Sequence, residues 1–441
     1  MLFPIILFLS IIITTYNRGF FSLPAFTVLC SLVILLFYSF YVEVKYFSAH
    51  SKEFNSRTLL TLVFLITYTL FLFNSSGIYE MSSSLSFFLT YLPLLFFPLV
   101  LTYAISHPTL SRSSQKKRFI FLILLALVLR LLMITASPNP AIDVFMILKE
   151  APLKILSFIN PYNTVYSTVY AGQILDYYPY WPVSFLLQIP FIMIFNEPRI
   201  LLIMADILSA VLLYFIGKKT LTSEILSLIY LFRPNSNFII EQSWLTPLTF
   251  FLVVLSYYFV TLKKDLLGGL ILGLLIGIQP VFVVLAAFYG MLAKNIRKFV
   301  LTPGFVVCIF VLPFVVWDRV NFFDKTIAVY FKDATLVPTI PVYMSLNLNT
   351  FVHFFRGYDI PMVLSIVILS FLFLLLLKKL YLLRLKLTSK NESQYQSVVL
   401  LAVSLFLLNF YFLFRQAFIN YYYLITDFII LWGVVRWKSY S

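Results

Sequence analysis

The first group in this chain equipped for a reaction is a lone acid beyond a long apolar run. Residues 118–137 are strongly apolar and lead into Ser137-Pro138-Asn139-Pro140-Ala141-Ile142-Asp143. A carboxylate placed at the rim of an apolar layer can serve as a general base toward a hydroxyl, provided the acceptor oxygen comes within hydrogen-bond reach. Glu150 follows seven residues later, on the same face of a helix, as a candidate second acid in a substrate site. The plainer readings are charge complementarity at a helix N-terminus for Asp143 and a solvated charge for Glu150. The sequence predicts Asn139 as the cap of a helix starting at Pro140. That helix is expected to stop near Glu150 because of Pro152, with a second piece from Leu153 to Ile159 ending at Asn160-Pro161. Aromatic residues then crowd the chain: Tyr162, Tyr166, Tyr170 and Tyr177-Tyr178-Pro179-Tyr180-Trp181-Pro182. Tyr162 and Tyr178 are candidate substrate contacts, and a membrane-interface aromatic belt is the alternative.

A base needs a partner that stabilises the leaving group, and a departing phosphate calls for cations. Arg415, Arg356 and Arg319 are the ranked candidates, with Arg199 and Lys332 as further ones, although each also suits a headgroup-facing charge. His353 and Asn420, the latter beside Tyr421 to Tyr423, are candidate substrate contacts. No glycine-rich phosphate loop or paired-histidine metal motif is present. His50, His107 and His353 lie far apart, and Cys30 and Cys308 sit in apolar runs without disulfide or zinc spacing. The sequence therefore demands no cofactor, and leaves a divalent metal open.

The elements that must carry these groups follow from composition. Of 441 residues, 61% are hydrophobic and 11% charged, with a mean hydropathy of +0.97, which excludes a soluble domain. The net charge of +15 is accordingly read loop by loop and not as a nucleic-acid footprint. Apolar runs at 2–16, 20–44, 57–74, 84–105 and 118–137 precede the long connection 138–198. Those at 199–217, 221–240, 245–262, 266–280, 281–294, 298–317, 361–382, 395–413 and 418–437 follow it. The expected fold is an all-α polytopic membrane protein of about 13 to 14 transmembrane helices with an outer-face helical loop after the fifth. Met1 to Tyr16 lacks a basic leader and a cleavage site, and reads as a short first span.

With both termini cytoplasmic, most of the 32 Lys and Arg residues fall on the cytoplasmic side, provided that 183–195 does not fully cross. The connections 138–198 and 318–360 then share the outer face. Three regions result: a four-span extension 1–117, a core 118–317, and an outer loop with C-terminal spans 318–441. Asp206 and Arg130 each lie about 10 Å below that face and Arg233 about 12 Å. Isolated charges at such depth usually pair, so Asp206 is expected to pair with Arg130 or Arg233. A proton-relay or substrate role for Asp206 is the alternative.

Asp143-Val144-Phe145, Asn160-Pro161-Tyr162, Tyr178-Pro179 and Arg199, within 118–300, resemble superfamily C membrane glycosyltransferases, in particular the polyprenyl-phosphate-mannose mannosyltransferases and, more distantly, the GPI mannosyltransferases. The resemblance implies a sugar, most simply mannose, moved from a polyprenyl-phosphate donor to a lipid-linked or other hydroxyl acceptor. It also implies that the acid of the first outer loop, here Asp143, is the catalytic base. The protein is then integral to an archaeal or bacterial plasma membrane, or to the endoplasmic reticulum, with its site on the outer or lumenal face. Lipid and donor are the expected partners, nucleic acid is not, and protein partners are not specified. Two other classes share these features: a non-catalytic lipid-binding subunit of a membrane complex, and a lipid or solute transporter, to which the broken glycine-rich stretch Gly268 to Pro280 would be suited.

Overall fold

The computed structural model describes residues 2–47, 57–81, 83–106, 111–169, 172, 174–328, 344–389, 391–415 and 417–438. Among these the chain is helical, with two isolated bridges, Phe20 to Ser345 and Tyr166 to Leu175, and no strand. It begins with α1 (Leu2–Thr15), α2 (Leu23–Lys45), α3 (Arg57–Leu72), α4 (Ser83–Leu95), α5 (Phe97–Ser106) and α6 (Arg112–Ala136). The first long connection carries α7 (Asp143–Leu156) and α8 (Val183–Phe195). Next come α9 (Arg199–Ile216), α10 (Leu221–Leu231), α11 (Ser236–Glu241), α12 (Thr246–Thr261), α13 (Asp265–Ile276), α14 (Val284–Gly290) and α15 (Ile296–Trp317). The second connection carries α16 (Arg319–Thr326) and α17 (Leu348–Arg356), and the chain closes with α18 (Met362–Arg384), α19 (Glu392–Leu413) and α20 (Ile419–Lys438).

Among the described residues, seven helices are long and apolar enough to cross a membrane: α2, α4 with α5, α6, α9, α15, α18 and α19. Further apolar helices, α1 and α12 among them, are 10–17 residues long. The chain is thus an all-α protein built to cross a membrane repeatedly. Ser22, Ser111, Thr220, Asn295, Asp318 and Asn347 each start a helix by accepting the amide three residues on, at 2.7 to 3.4 Å, which satisfies one of the amides a helix start leaves over.

Proline explains where single expected runs become two. Residues 221–240 divide into α10 and α11 because Pro234 has no N–H for the Tyr230 carbonyl. The Nε of Arg233 donates to that carbonyl at 2.9 Å instead, and Asn235 turns the chain through a left-handed conformation, φ 63°. Pro98, the second residue of α5, similarly has no N–H for the Leu94 carbonyl, and α4 ends at Leu95.

The N-terminal helices pack into the rest of the bundle. α1 lies on α20, α2 on α19 and α3 on α10. Phe3 of α1 meets Trp432 and Trp437 edge-on, at 5.2 and 4.8 Å. α13 approaches α15 closely where Gly269 and Gly273 face Thr302, Pro303 and Val306.

Inter-helix bonds divide the bundle into two ends. At one, Arg112 pairs with Glu224, Arg436 with Glu43, and Lys263 with Glu392. At the other, Ser137 meets Arg199, Asn163 meets Asp318, and Gly19 meets Leu346. The connections carrying α7 and α17 therefore stand at the same end. Gly19, at φ 77°, is packed so closely on the backbone of Phe418 and Ile419 that a side chain there would collide.

The bundle interior holds a polar network. Asp206 accepts from Arg130 Nε at 2.5 Å and from the Tyr230 hydroxyl at 2.6 Å. The other Arg130 nitrogens donate to the carbonyls of Ala126 and Leu231 at 3.0 and 2.8 Å. Of the two arginines considered for Asp206, Arg130 holds it. Arg233 pairs with Asp427 of α20, donates to the Tyr423 carbonyl at 3.1 Å, and sits over the rings of Tyr230 and Tyr423. Tyr230 thus joins two ion pairs, and four helices, α6, α9, α10 and α20, share one set of paired charges.

Candidate functional site

Asp143 is the first residue of α7, and it is buried. The expected start at Pro140 with Asn139 as cap does not form. The Ile142 amide bonds to the Pro140 carbonyl at 2.8 Å, closing a tight turn that leaves Ile142 extended as the residue before the helix, without a side-chain cap. Asp143 accepts the Val144 amide at its own Oδ1, at 2.8 Å. Its Oδ2 accepts the Tyr177 hydroxyl. Burial raises the Asp143 carboxyl above the ordinary carboxylate range, and the bonds from Tyr177 and Val144 oppose that rise. The result is a carboxylate held in one orientation and more basic than a solvated one, as a general base toward a hydroxyl requires.

The break expected at Pro152 is also absent, and α7 continues to Leu156. Proline removes one bond, to the Leu148 carbonyl, but Ile147, Leu148, Ala151 and Pro152 are all buried against the bundle, and that packing holds the helix together. The helix ends where Phe158 adopts φ 57°.

The aromatic stretch that supplies Tyr177 is a small core. Tyr162 and Tyr178 are fully buried, not displayed on an interface. The Tyr162 hydroxyl donates to the Tyr180 carbonyl at 2.9 Å, Tyr178 bonds Ser184 at 2.8 Å, and Tyr166 donates to the Pro161 carbonyl at 2.5 Å. Their rings meet Phe185, Phe314 and Phe322 edge-on. The amides of Trp181 and Val183 bond the carbonyls of Ile278 and Gly277, both at 3.0 Å, fastening the loop to the end of α13. Tyr162 and Tyr178 belong to this core and do not line an open surface. Glu150 accepts the Ser167 amide at 3.2 and 3.3 Å, which makes it an anchor of this loop. Tyr170 lies outside the described residues.

Arg199 is fully buried. It is held by Glu197 at 2.7 and 2.8 Å, donates to the Ser137 carbonyl at 2.7 Å, and lies over the Phe145 ring. This arginine ties the end of α6 to the start of α9 and is not presented to a phosphate. Arg319 and Arg356 are exposed, and Lys332 lies outside the described residues. Arg415 borders an apolar cleft of about 270 Å³ between α18 and α19, lined by Ile360, Met362, Ile366, Leu369, Phe410 and Leu413 among others. Its Nη2 stands 3.8 Å from Asp359. His353 and Asn349 meet the same carboxylate at 3.0 and 3.2 Å. The Arg415 carbonyl takes bonds from Ser345 and Asn347 at 3.0 and 3.1 Å. Asn420, half-buried at the start of α20, accepts from Thr246 at its carbonyl, at 3.5 Å.

Two groups thus form at one end of the bundle: Asp143 with Tyr177, and Arg415 with His353, Asn349 and Asp359. Sequence reasoning named Tyr177 only as part of the aromatic run and without a tie to Asp143, and it missed Asp359 and Asp427. The signal for Asp427 was present, as an acid in the middle of the apolar run 418–437. Among the described residues no three His, Cys, Asp or Glu side chains converge as a metal site.

Tyr177→Phe tests the held carboxylate. Removing a bond that favours the charged form raises the Asp143 pKa further. The Asp143 carboxyl is therefore expected to titrate at higher pH in the variant than in the parent. Infrared titration of the carboxyl band in both proteins reads this directly, and an unmoved titration would separate Asp143 from the Tyr177 bond.

No protein-family model matches the chain, and no curated protein sequence matches it.

Proposed function

We propose that this chain is a membrane glycosyltransferase that moves a sugar, mannose in the simplest case, from a polyprenyl-phosphate donor to a hydroxyl acceptor at the outer or lumenal surface. The observation that carries this reading is the presence, at one end of an apolar bundle, of two separate groups: a buried and oriented carboxylate, and an arginine that lines an apolar cleft. A lipid-borne substrate has those two requirements: an apolar track for its chain and a cation for its phosphate. In the reaction, Asp143 takes the proton of the acceptor hydroxyl as its oxygen bonds to the anomeric carbon. The bond from that carbon to the phosphate oxygen breaks, and its electron pair leaves with the polyprenyl phosphate, whose charge Arg415 neutralises. Asp143 then returns its proton to water. The shorter apolar helices complete about 13 to 14 crossings, both termini lie in the cytoplasm, and α8 stays within one leaflet.

The resemblance to superfamily C enzymes agrees with this reading, and Asp143 is the residue on which the two converge. Among the donor arginines, Arg415 is preferred to Arg356 and Arg319 because it alone of the three borders the cleft. Arg415→Ala is expected to raise the donor KM about tenfold or more, the usual scale for a charge-assisted bond, with acceptor KM unchanged. Steady-state kinetics in lipid vesicles measures both, and equal effects on donor and acceptor would remove Arg415 from the phosphate.

A further inference from the structure

The connection between α3 and α4 precedes every candidate site residue in the sequence, yet it is built into the Asp143 end of the bundle. Glu241, the last residue of α11, is fully buried. Its two oxygens accept the amides of Ile78 and Tyr79 at 2.8 and 2.9 Å. Asn235 donates its amide to the Asn74 carbonyl at 3.3 Å, and Asn237 its side-chain amide to the Ser75 carbonyl at 2.8 Å. The Met81 amide bonds the carbonyl of Ala136, the last residue of α6, at 2.9 Å. Gly77 lies so close under the Glu241 carboxylate that any side chain there would displace it. Burying a carboxylate is costly unless hydrogen bonds compensate it, and here the compensation comes from the backbone of a connection that is thereby fixed in place.

What this fixes is Tyr79. The side chain is half-buried, and its hydroxyl has no hydrogen bond among the described residues. Burial, then the charges of Glu241 and Asp143, raise its pKa, so the hydroxyl stays protonated. Tyr177 already occupies one oxygen of Asp143 from the first long connection. The connection that carries Tyr79 is bonded through Met81 to the carbonyl of Ala136, where the chain leaves α6 for Asp143, so Tyr79 stands at the same end of the bundle as the candidate base.

We infer that Tyr79 binds the hydroxyl-bearing acceptor beside Asp143, and that Glu241 is the positioning residue that presents it. This rests on the glycosyltransferase reading, and assigns the α3–α4 connection to the acceptor side of that site. A base acts only on an oxygen held within hydrogen-bond reach. A protonated phenol with no hydrogen bond among the described residues is suited to hold a neighbouring hydroxyl of a sugar acceptor.

The test uses the full-length protein in phosphatidylcholine vesicles with polyprenyl-phosphate mannose and a short-chain alkyl mannoside as acceptor. Tyr79→Phe keeps the ring and removes the hydroxyl. It is expected to raise the acceptor KM about three- to tenfold, the effect of one neutral hydrogen bond, with donor KM, donor hydrolysis to water and melting temperature unchanged. Glu241→Gln is expected to move the acceptor KM in the same direction, through the loosened connection. An active parent whose Tyr79→Phe and Tyr79→Ala variants keep the parental acceptor KM would overturn the assignment and leave the function standing. Equal shifts in donor and acceptor KM would also overturn it. A parent that binds donor without transfer would reject the glycosyltransferase reading, and this inference with it.

Discussion

Asp143→Asn is expected to lower glycosyl transfer by about 10²- to 10⁴-fold, the range for losing a general base, while leaving the protein at least as stable at neutral pH. The second half follows from the sign of the pKa shift. Burial raises the folded-state pKa of Asp143 above its unfolded value. The stability that the group contributes is therefore present below the unfolded pKa and lost as pH rises through the raised folded one. At neutral pH the native carboxylate is the penalised form, and a neutral amide avoids the penalty. Transfer rates together with melting temperatures from acid to neutral pH measure both effects. The parent's melting temperature should fall relative to the variant's as pH rises. A variant that retains more than about a hundredth of the activity would remove Asp143 from the base role.

The second large effect lies in the bundle interior. Arg233→Met strands Asp427 without its cation in a site where neither side chain reaches solvent. Breaking a buried pair by removing one partner costs roughly 3–5 kcal/mol. The double variant Arg233→Met with Asp427→Leu removes both charges, and should recover most of the loss. Asp206→Asn should cost less, since an amide oxygen can still accept from Arg130 or Tyr230. Thermal unfolding in detergent gives these differences, and specific activity per folded molecule should stay near the parent's for Asp206→Asn. A well-folded but inactive Asp206→Asn would move the network from architecture to chemistry.

How far the chain could be read in advance depended on the kind of interaction. Apolar runs marked the long helices because crossing a membrane imposes length and composition locally. The break at Pro234 was not read, although the proline was visible, because it is completed by the Arg233 side chain taking the Tyr230 carbonyl. Asp143 was singled out by its position after α6, yet its start-of-helix geometry was misplaced by three residues, because the turn at Pro140 to Ile142 competes with an Asn139 cap. Tyr162 and Tyr178 read as interface aromatics from composition. Tyr162 is covered by Phe314 and Phe322, more than 150 residues away, and Tyr178 packs in turn on Tyr162, and no local pattern reports that. Arg199 looked like a free cation for the same reason, since its fully buried guanidinium is defined by Glu197, Phe145 and a carbonyl at the end of another helix. Glu241 and Tyr79 are 162 positions apart and become neighbours only in the fold.

The most direct test of the account is a stoichiometry. Purified protein in sealed lipid vesicles, supplied with polyprenyl-phosphate mannose and an alkyl mannoside, should release one polyprenyl phosphate for each mannose joined to the acceptor, and Asp143→Asn should release almost none. Donor that binds at Arg415 and is never cleaved, or that crosses the bilayer intact, would contradict the account.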